Sequence, residues 1–119
     1  MRTDPRPSPL MTMHVTGTTA VVRVRGDLDA SVSAELTEVL AQTLAAEPMR
    51  LVFDMDHAGF LDCFAAHAIF AAARTLPEGR PVIRSPRPVA RRLLELTGLD
   101  AQCILEGRPA PDPAAGAAS

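Results

Sequence analysis

Apolar and polar residues divide this chain into alternating runs and helically spaced stripes. Met11, Met13 and Val15 alternate with Thr12, His14 and Thr16, and after Gly17-Thr18 the alternation resumes with Ala20, Val22 and Val24 against Val21, Arg23 and Arg25. Period-two alternation on both sides of a short Gly-containing turn predicts a β-hairpin. Gly26-Asp27-Leu28-Asp29 leaves the second strand. From Ser31 to about Ala46, Val32, Leu36, Val39, Leu40 and Leu44 recur at helical spacing, and Pro48 stops the helix. Leu51 to Met55 opens as a continuous apolar run, the pattern of a strand buried on both faces. A polar turn is predicted around Asp56 to Gly59, then a second helix from Asp62 to about Leu76, apolar nearly all round. Asp62 is its N-cap, because a carboxylate there accepts bonds from the unpaired amides of the first turn. Pro77-Glu78-Gly79 is a turn and Pro81 to Arg84 a short strand. Ser85-Pro86 starts a third helix, which Gly98 ends. This helix is predicted to bury Val89, Leu93, Leu94 and Leu96 and to expose Arg87, Arg91 and Arg92. Cys103-Ile104-Leu105 is the last strand.

The order β-β-α-β-α-β-α-β predicts an α/β fold: a mostly parallel mixed sheet with an N-terminal antiparallel hairpin and packed helices. Right-handed crossovers bring the loops after the second and third strands to one rim, at the strands' carboxyl ends. Asp27 and Asp29 are therefore expected near Asp54, Asp62 and Cys63. One domain is expected over residues 10–107, between a disordered lead (1–9) and a disordered Pro/Ala-rich tail (108–119).

Composition narrows the chemistry. The 119 residues carry a net charge of −2, so no basic footprint points to nucleic acid or a membrane surface. All twelve cationic residues are Arg, and the chain has no Lys, Asn, Trp or Tyr. Without Lys, Walker A phosphate binding, Schiff-base chemistry and a lysine base are excluded. Two Cys forty residues apart are no secreted disulfide framework, and the lead is polar with Pro5, Pro7 and Pro9, unlike a signal peptide. The longest apolar stretch, Cys63 to Ala73, falls short of the roughly 20 residues needed to span a bilayer. A cytoplasmic protein is expected.

Asp54-Met55-Asp56 is laid out like the strand-end aspartate pair of phosphoryl-transfer hydrolases, and with Asp62 could supply oxygen ligands to Mg²⁺. That chemistry also needs a Ser or Thr after the pair and a Lys, and the chain has neither in place. Asp54 and Asp62 are read as turn and cap residues, with no catalytic residue, metal or cofactor assigned. His57 beside Asp56 is read as a solvated turn residue, with pH sensing the sharper alternative. Phe64 and His67, at i and i+3, share a helix face, which is a contact patch if exposed and core if buried.

Four segments in order resemble the STAS domain, the fold of bacterial anti-sigma factor antagonists: Val22-Arg23-Val24-Arg25-Gly26-Asp27-Leu28-Asp29, Leu51-Val52-Phe53-Asp54, Phe60-Leu61-Asp62, and Arg87 to Leu99. The resemblance covers about residues 12–106, and the family's closing helix is not evident after Gly107. It implies a non-enzymatic regulator that binds an ATP-binding serine-kinase anti-sigma factor and so frees a sigma factor. It also implies a partner surface of Asp27, Asp29, Asp56, His57, Asp62, Cys63, Phe64 and His67. The family's loop carries a Ser after the Asp, which the partner kinase phosphorylates; the added charge of about −1.5 to −2 breaks the complex. Here that position is Cys63, and no Ser or Thr lies between Asp56 and Arg74.

Cys63 has two readings. The plainer is a small residue filling a Ser slot; the sharper is a redox thiol, perturbed by the helix start, opposed by Asp62 and paired at most with Cys103. The alternative function is accordingly a STAS regulatory scaffold or sensor responding to redox state or a small ligand. A homodimer is compatible with either reading.

Overall fold

The computed structural model describes residues 10–107, so the predicted lead and tail, 1–9 and 108–119, lie outside the described residues. Strands β1 (Met11–Thr16) and β2 (Thr19–Leu28) form the expected antiparallel hairpin, with Thr16 opposite Thr19. A 3-10 turn (Ala30–Val32) leads into α1 (Ser33–Ala45), followed by β3 (Arg50–Leu61), α2 (Cys63–Ala73) and β4 (Val82–Arg84). Helix α3 (Pro88–Thr97), a second 3-10 turn (Leu99–Gln102) and β5 (Ile104–Glu106) complete the described residues. The sheet runs β1-β2-β3-β4-β5, and every pairing after the hairpin is parallel.

Each parallel step moves one strand further in the same direction, so right-handed crossovers lay all three helices on one face. The core lies between these layers. Val22, Val24, Leu51, Phe53, Met55 and Ile83 of the sheet meet Leu36, Leu40, Ile69, Phe70, Ala90 and Leu94 of the helices. Each large side chain buried there contributes about 1.5–3 kcal/mol of transfer free energy. Val21, Val52 and Val82, in register across three strands, form a separate buried row on the opposite face.

The polar turn predicted at Asp56 to Gly59 is instead part of β3, which runs unbroken to Leu61. Polar residues are accommodated because β3 bulges against β2. The register passes from Arg23↔Asp54 to Arg25↔His57, and again from Gly26↔Ala58 to Asp27↔Phe60, so β3 inserts an extra residue at each shift. β2 likewise continues through Gly26 and Asp27 to Leu28 rather than leaving the sheet.

The third helix also differs from its sequence reading. It starts at Pro88, not Pro86, while Ser85 takes a left-handed φ of 53° and donates its amide to the Glu106 carbonyl at 2.7 Å. Ala90 and Leu94 face the core. Val89 and Leu96, predicted inward, are 56% and 73% exposed. They lie with Leu93 on a second stripe, displaced about 100° (one residue of helical rotation) from the buried one. Gly98 terminates the helix as predicted, with a left-handed φ of 78°.

Candidate functional site

The carboxyl ends of β2 and β3 deliver the residues of interest to one rim. Asp27 pairs with Phe60 and Leu28 with Leu61, and the Asp62 amide donates to the Leu28 carbonyl at 3.0 Å. Leu28 and Leu61 are both buried and anchor the rim from below. Directly beyond them Asp62 caps α2 as expected: its carboxylate accepts from the Ala65 amide at 2.8 Å, and its φ and ψ are extended. Cys63 is thereby the first residue of α2, exposed and free.

Asp29 plays the matching role on the other strand. Its carboxylate accepts from the Ser31 hydroxyl at 2.5 Å and the Ser31 amide at 2.9 Å, capping the 3-10 turn. These bonds, the hydroxyl's first, hold its carboxyl below the ordinary 3.8. Asp27 lies over Gly59, so close that a Cβ at Gly59 would stand 2.6 Å from Asp27 Oδ1. Glycine at 59 leaves room for the Asp27 carboxylate in its present position.

Two of the four phenylalanines are core and two are not. Phe53 and Phe70 are buried, whereas Phe60 is 41% and Phe64 63% exposed. His67, one turn after Phe64, is exposed as well. The α2 face that could have been core or surface is therefore surface at Phe64 and His67, and Cys63 is exposed at the capped helix start, while Phe60 is exposed on β3 opposite Asp27. Phe60 was not singled out as a site residue from sequence; its signal was an aromatic two residues before the cap, where the strand's inward position is already taken by Leu61.

Other expected members stand apart. Asp54 does not join Asp62 and Cys63, because β3 continues seven residues past it and its side chain is on the helix-free face, 3.5 Å from Arg23. Its other oxygen accepts from the Asp56 amide at 3.2 Å. Asp56 and His57 sit at the first bulge, 3.7 Å apart, with His57 opposite Arg25. Among the described residues no group of three or more His, Cys, Asp or Glu is arranged to hold a metal ion. Among them, too, no helix is long and apolar enough to cross a membrane.

Cys103 lies away from this surface, next to the opposite sheet edge. It is buried, with its sulfur 3.7 Å from the Asp100 carbonyl. Burial first, and Asp100 second, push its thiol up to about 11. A buried, protonated thiol is a poor partner for Cys63. Two grooves also lie elsewhere, one lined by Phe70, Arg74, Arg80 and Gln102, the other by Leu44, Glu47, Thr75 and Leu76. At the rim Phe60 and Phe64 instead face solvent, and exposed aromatics of this kind suit contact with a protein.

A profile of the STAS domain matches residues 11–108. The chain belongs to the STAS domain family. An anti-sigma factor antagonist from Mycobacterium paratuberculosis is 26% identical, with a TM-score of 0.72 over 90% of this chain and 91% of that one. The anti-sigma factor antagonist SpoIIAA in its unphosphorylated form is 20% identical, with a TM-score of 0.67 over 88% and 91% of the two chains. The Bacillus cell-fate determinant SpoIIAA in its phosphorylated form is also 20% identical, with a TM-score of 0.55 over 91% and 97%. The SpoIIAA likenesses show a shared fold. No curated protein matches the sequence. The mixed five-stranded sheet and its helices are those of the STAS fold, as the sequence motifs implied.

Proposed function

We propose that this protein is an anti-sigma factor antagonist that acts by binding, not catalysis. Its partner is an ATP-binding, serine-kinase-type anti-sigma factor, captured in the cytoplasm so that a sigma factor is released. The observation that carries the reading is the exposed Phe60, Phe64 and His67 beside the Asp62-capped helix start. Large aromatics at the centre of a contact are the residues that dominate binding energy. Asp27 and Asp29, at the end of β2 and just beyond it, form the polar border of the same contact. The antagonist from Mycobacterium paratuberculosis, similar over nine-tenths of the chain, supports the assignment.

The second half of the proposal concerns control. SpoIIAA has a phosphorylated and an unphosphorylated form. In this chain Cys63 occupies the family's acceptor position, and a thiol is not a substrate for ordinary serine-kinase chemistry. The protein then stays in its binding form, and control passes to its abundance or to its partner.

Calorimetric titration of the purified chain with an anti-sigma kinase of the same organism tests the binding. A stoichiometric complex is expected, and absence of binding to any such kinase would refute the function. Adding ATP and weighing the chain tests the control. Its mass is expected to stay constant, and a phosphate located between residues 56 and 74 would overturn the locked state.

A further inference from the structure

The outer edge of β1 is a six-residue strand with no partner among the described residues. Its pairing with β2 determines which backbone groups are free. Arg25 donates its amide to the Leu10 carbonyl at 2.8 Å, and the two-residue turn closes at Thr16↔Thr19. Hydrogen-bonded pairs alternate along an antiparallel ladder, so Thr12, His14 and Thr16 bond β2 while Met11, Met13 and Val15 aim their N–H and C=O groups outward. Among the described residues, no bond from another element reaches those groups.

Natural sheet edges are guarded by charge, Pro, bulges or shortness. β5, at the other edge, is only three residues long and carries Glu106 paired to Arg84. β1 has none of these guards. From Leu10 to Val22 the only ionisable side chain is His14, and no Pro or bulge interrupts β1. Its side chains are unfinished as well: Val15 is 45% exposed and Met13 half-buried, both on the core side of the sheet.

We infer that β1 is a self-association edge, pairing antiparallel with β1 of a second copy about a two-fold axis at Met13. This register is self-complementary. Met13 faces the partner's Met13, and Met11 and Val15 face the partner's Val15 and Met11, with two backbone bonds in each pair. Every outward group from 11 to 15 is then satisfied, and Val15 gains apolar cover from the partner's Met11. On the other face Thr12 stands opposite the partner's His14, so no like charges meet. The absence of formal charge along the edge leaves nothing to repel the second copy, and the sheet becomes continuous through both subunits. The rim at 27–29 and 60–67 takes no part in the ladder and stays available.

Sedimentation equilibrium of the full chain at sub-millimolar concentration tests the inference. Twice the 12.6 kDa chain mass is expected; a single-chain mass throughout that range overturns it. The register is tested by two double variants at exposed positions, with folding checked by circular dichroism. Thr12→Lys/His14→Lys opposes Lys to Lys at both cross-strand sites and is expected to weaken the dimer by about tenfold. Thr12→Lys/His14→Glu opposes Lys to Glu at the same sites and is expected to restore it. Equal association of the two double variants overturns the pairing.

Discussion

The Asp27 carboxylate occupies the space into which any side chain at Gly59 would project, 2.6 Å from the position of a Cβ. The obstruction is the end of a side chain rather than backbone, so an added methyl can be accommodated by turning Asp27 aside. Gly59→Ala is therefore expected to change stability by no more than about 1 kcal/mol, yet to displace Asp27 from the rim. Binding to the anti-sigma factor should fall, and in an Asp27→Ala background the same substitution should have little further effect. A double-mutant cycle on affinity checks this, and additivity would show that the two positions act separately.

Phe64 and Asp62 are adjacent in space but differ in what they support. Phe64 is exposed, so Phe64→Ala should leave unfolding within about 0.5 kcal/mol of wild type and cost about 2 kcal/mol or more of partner affinity. Asp62→Ala removes the α2 cap and should cost about 0.5–2 kcal/mol of stability. Urea titration and calorimetry separate the two effects. A Phe64→Ala protein that binds normally would remove the aromatic patch from the interface.

The cysteines should differ in accessibility to alkylating reagents. Cys63 is expected to alkylate readily in the native protein at pH 8, and Cys103 only after unfolding. Cys103 has a folded pKa of about 11, above the ordinary 9.0. Its protonated form is favoured in the fold, so this contribution is intact below about pH 9 and is lost as pH rises towards about 11. The chain has neither Lys nor Tyr, so no lysine or tyrosine titration overlaps that of Cys103 in this window. The stability gap between wild type and Cys103→Ala should narrow between those pH values, and a constant gap would contradict the assignment.

The two apolar stripes of α3 give a further contrast. Leu94→Ala, in the core, should cost about 2–5 kcal/mol. Leu96→Ser, on the exposed stripe, should stay within about 0.5 kcal/mol. Denaturant unfolding distinguishes them, and a large loss from Leu96→Ser would place that face against something.

Period and punctuation made most of this fold legible. The hairpin, the element order, the Asp62 cap and the Gly98 stop each follow from one local pattern with one physical meaning. The misreadings arose where local and tertiary signals conflict. Asp56, His57 and Gly59 look like a turn because bulges use turn residues, and only pairing with β2 shows that the strand continues. Ser85-Pro86 carries a strong helix-start signal, but its backbone is committed to Glu106 and the helix waits for Pro88. Helical periodicity says that Val89, Leu93 and Leu96 share a face, not which face meets the sheet. The same ambiguity hid the exposure of Phe60, whose strand position is inward or outward only once the bulges are known.

The bulged end of β3 has a thermodynamic consequence for recognition. Residues 57–61 are strand, with all but Gly59 paired to β2, and not a free loop. Ordering a residue's backbone costs about 1–2 kcal/mol of conformational entropy, and here folding has already met that cost. On the proposed function the partner binds a surface already ordered by the sheet, so association should proceed with a small entropic penalty and affinity should be governed mainly by the lifetime of the complex. A rim built into the sheet is a preordered template, and on the proposed function adaptation between the two proteins falls to the anti-sigma factor.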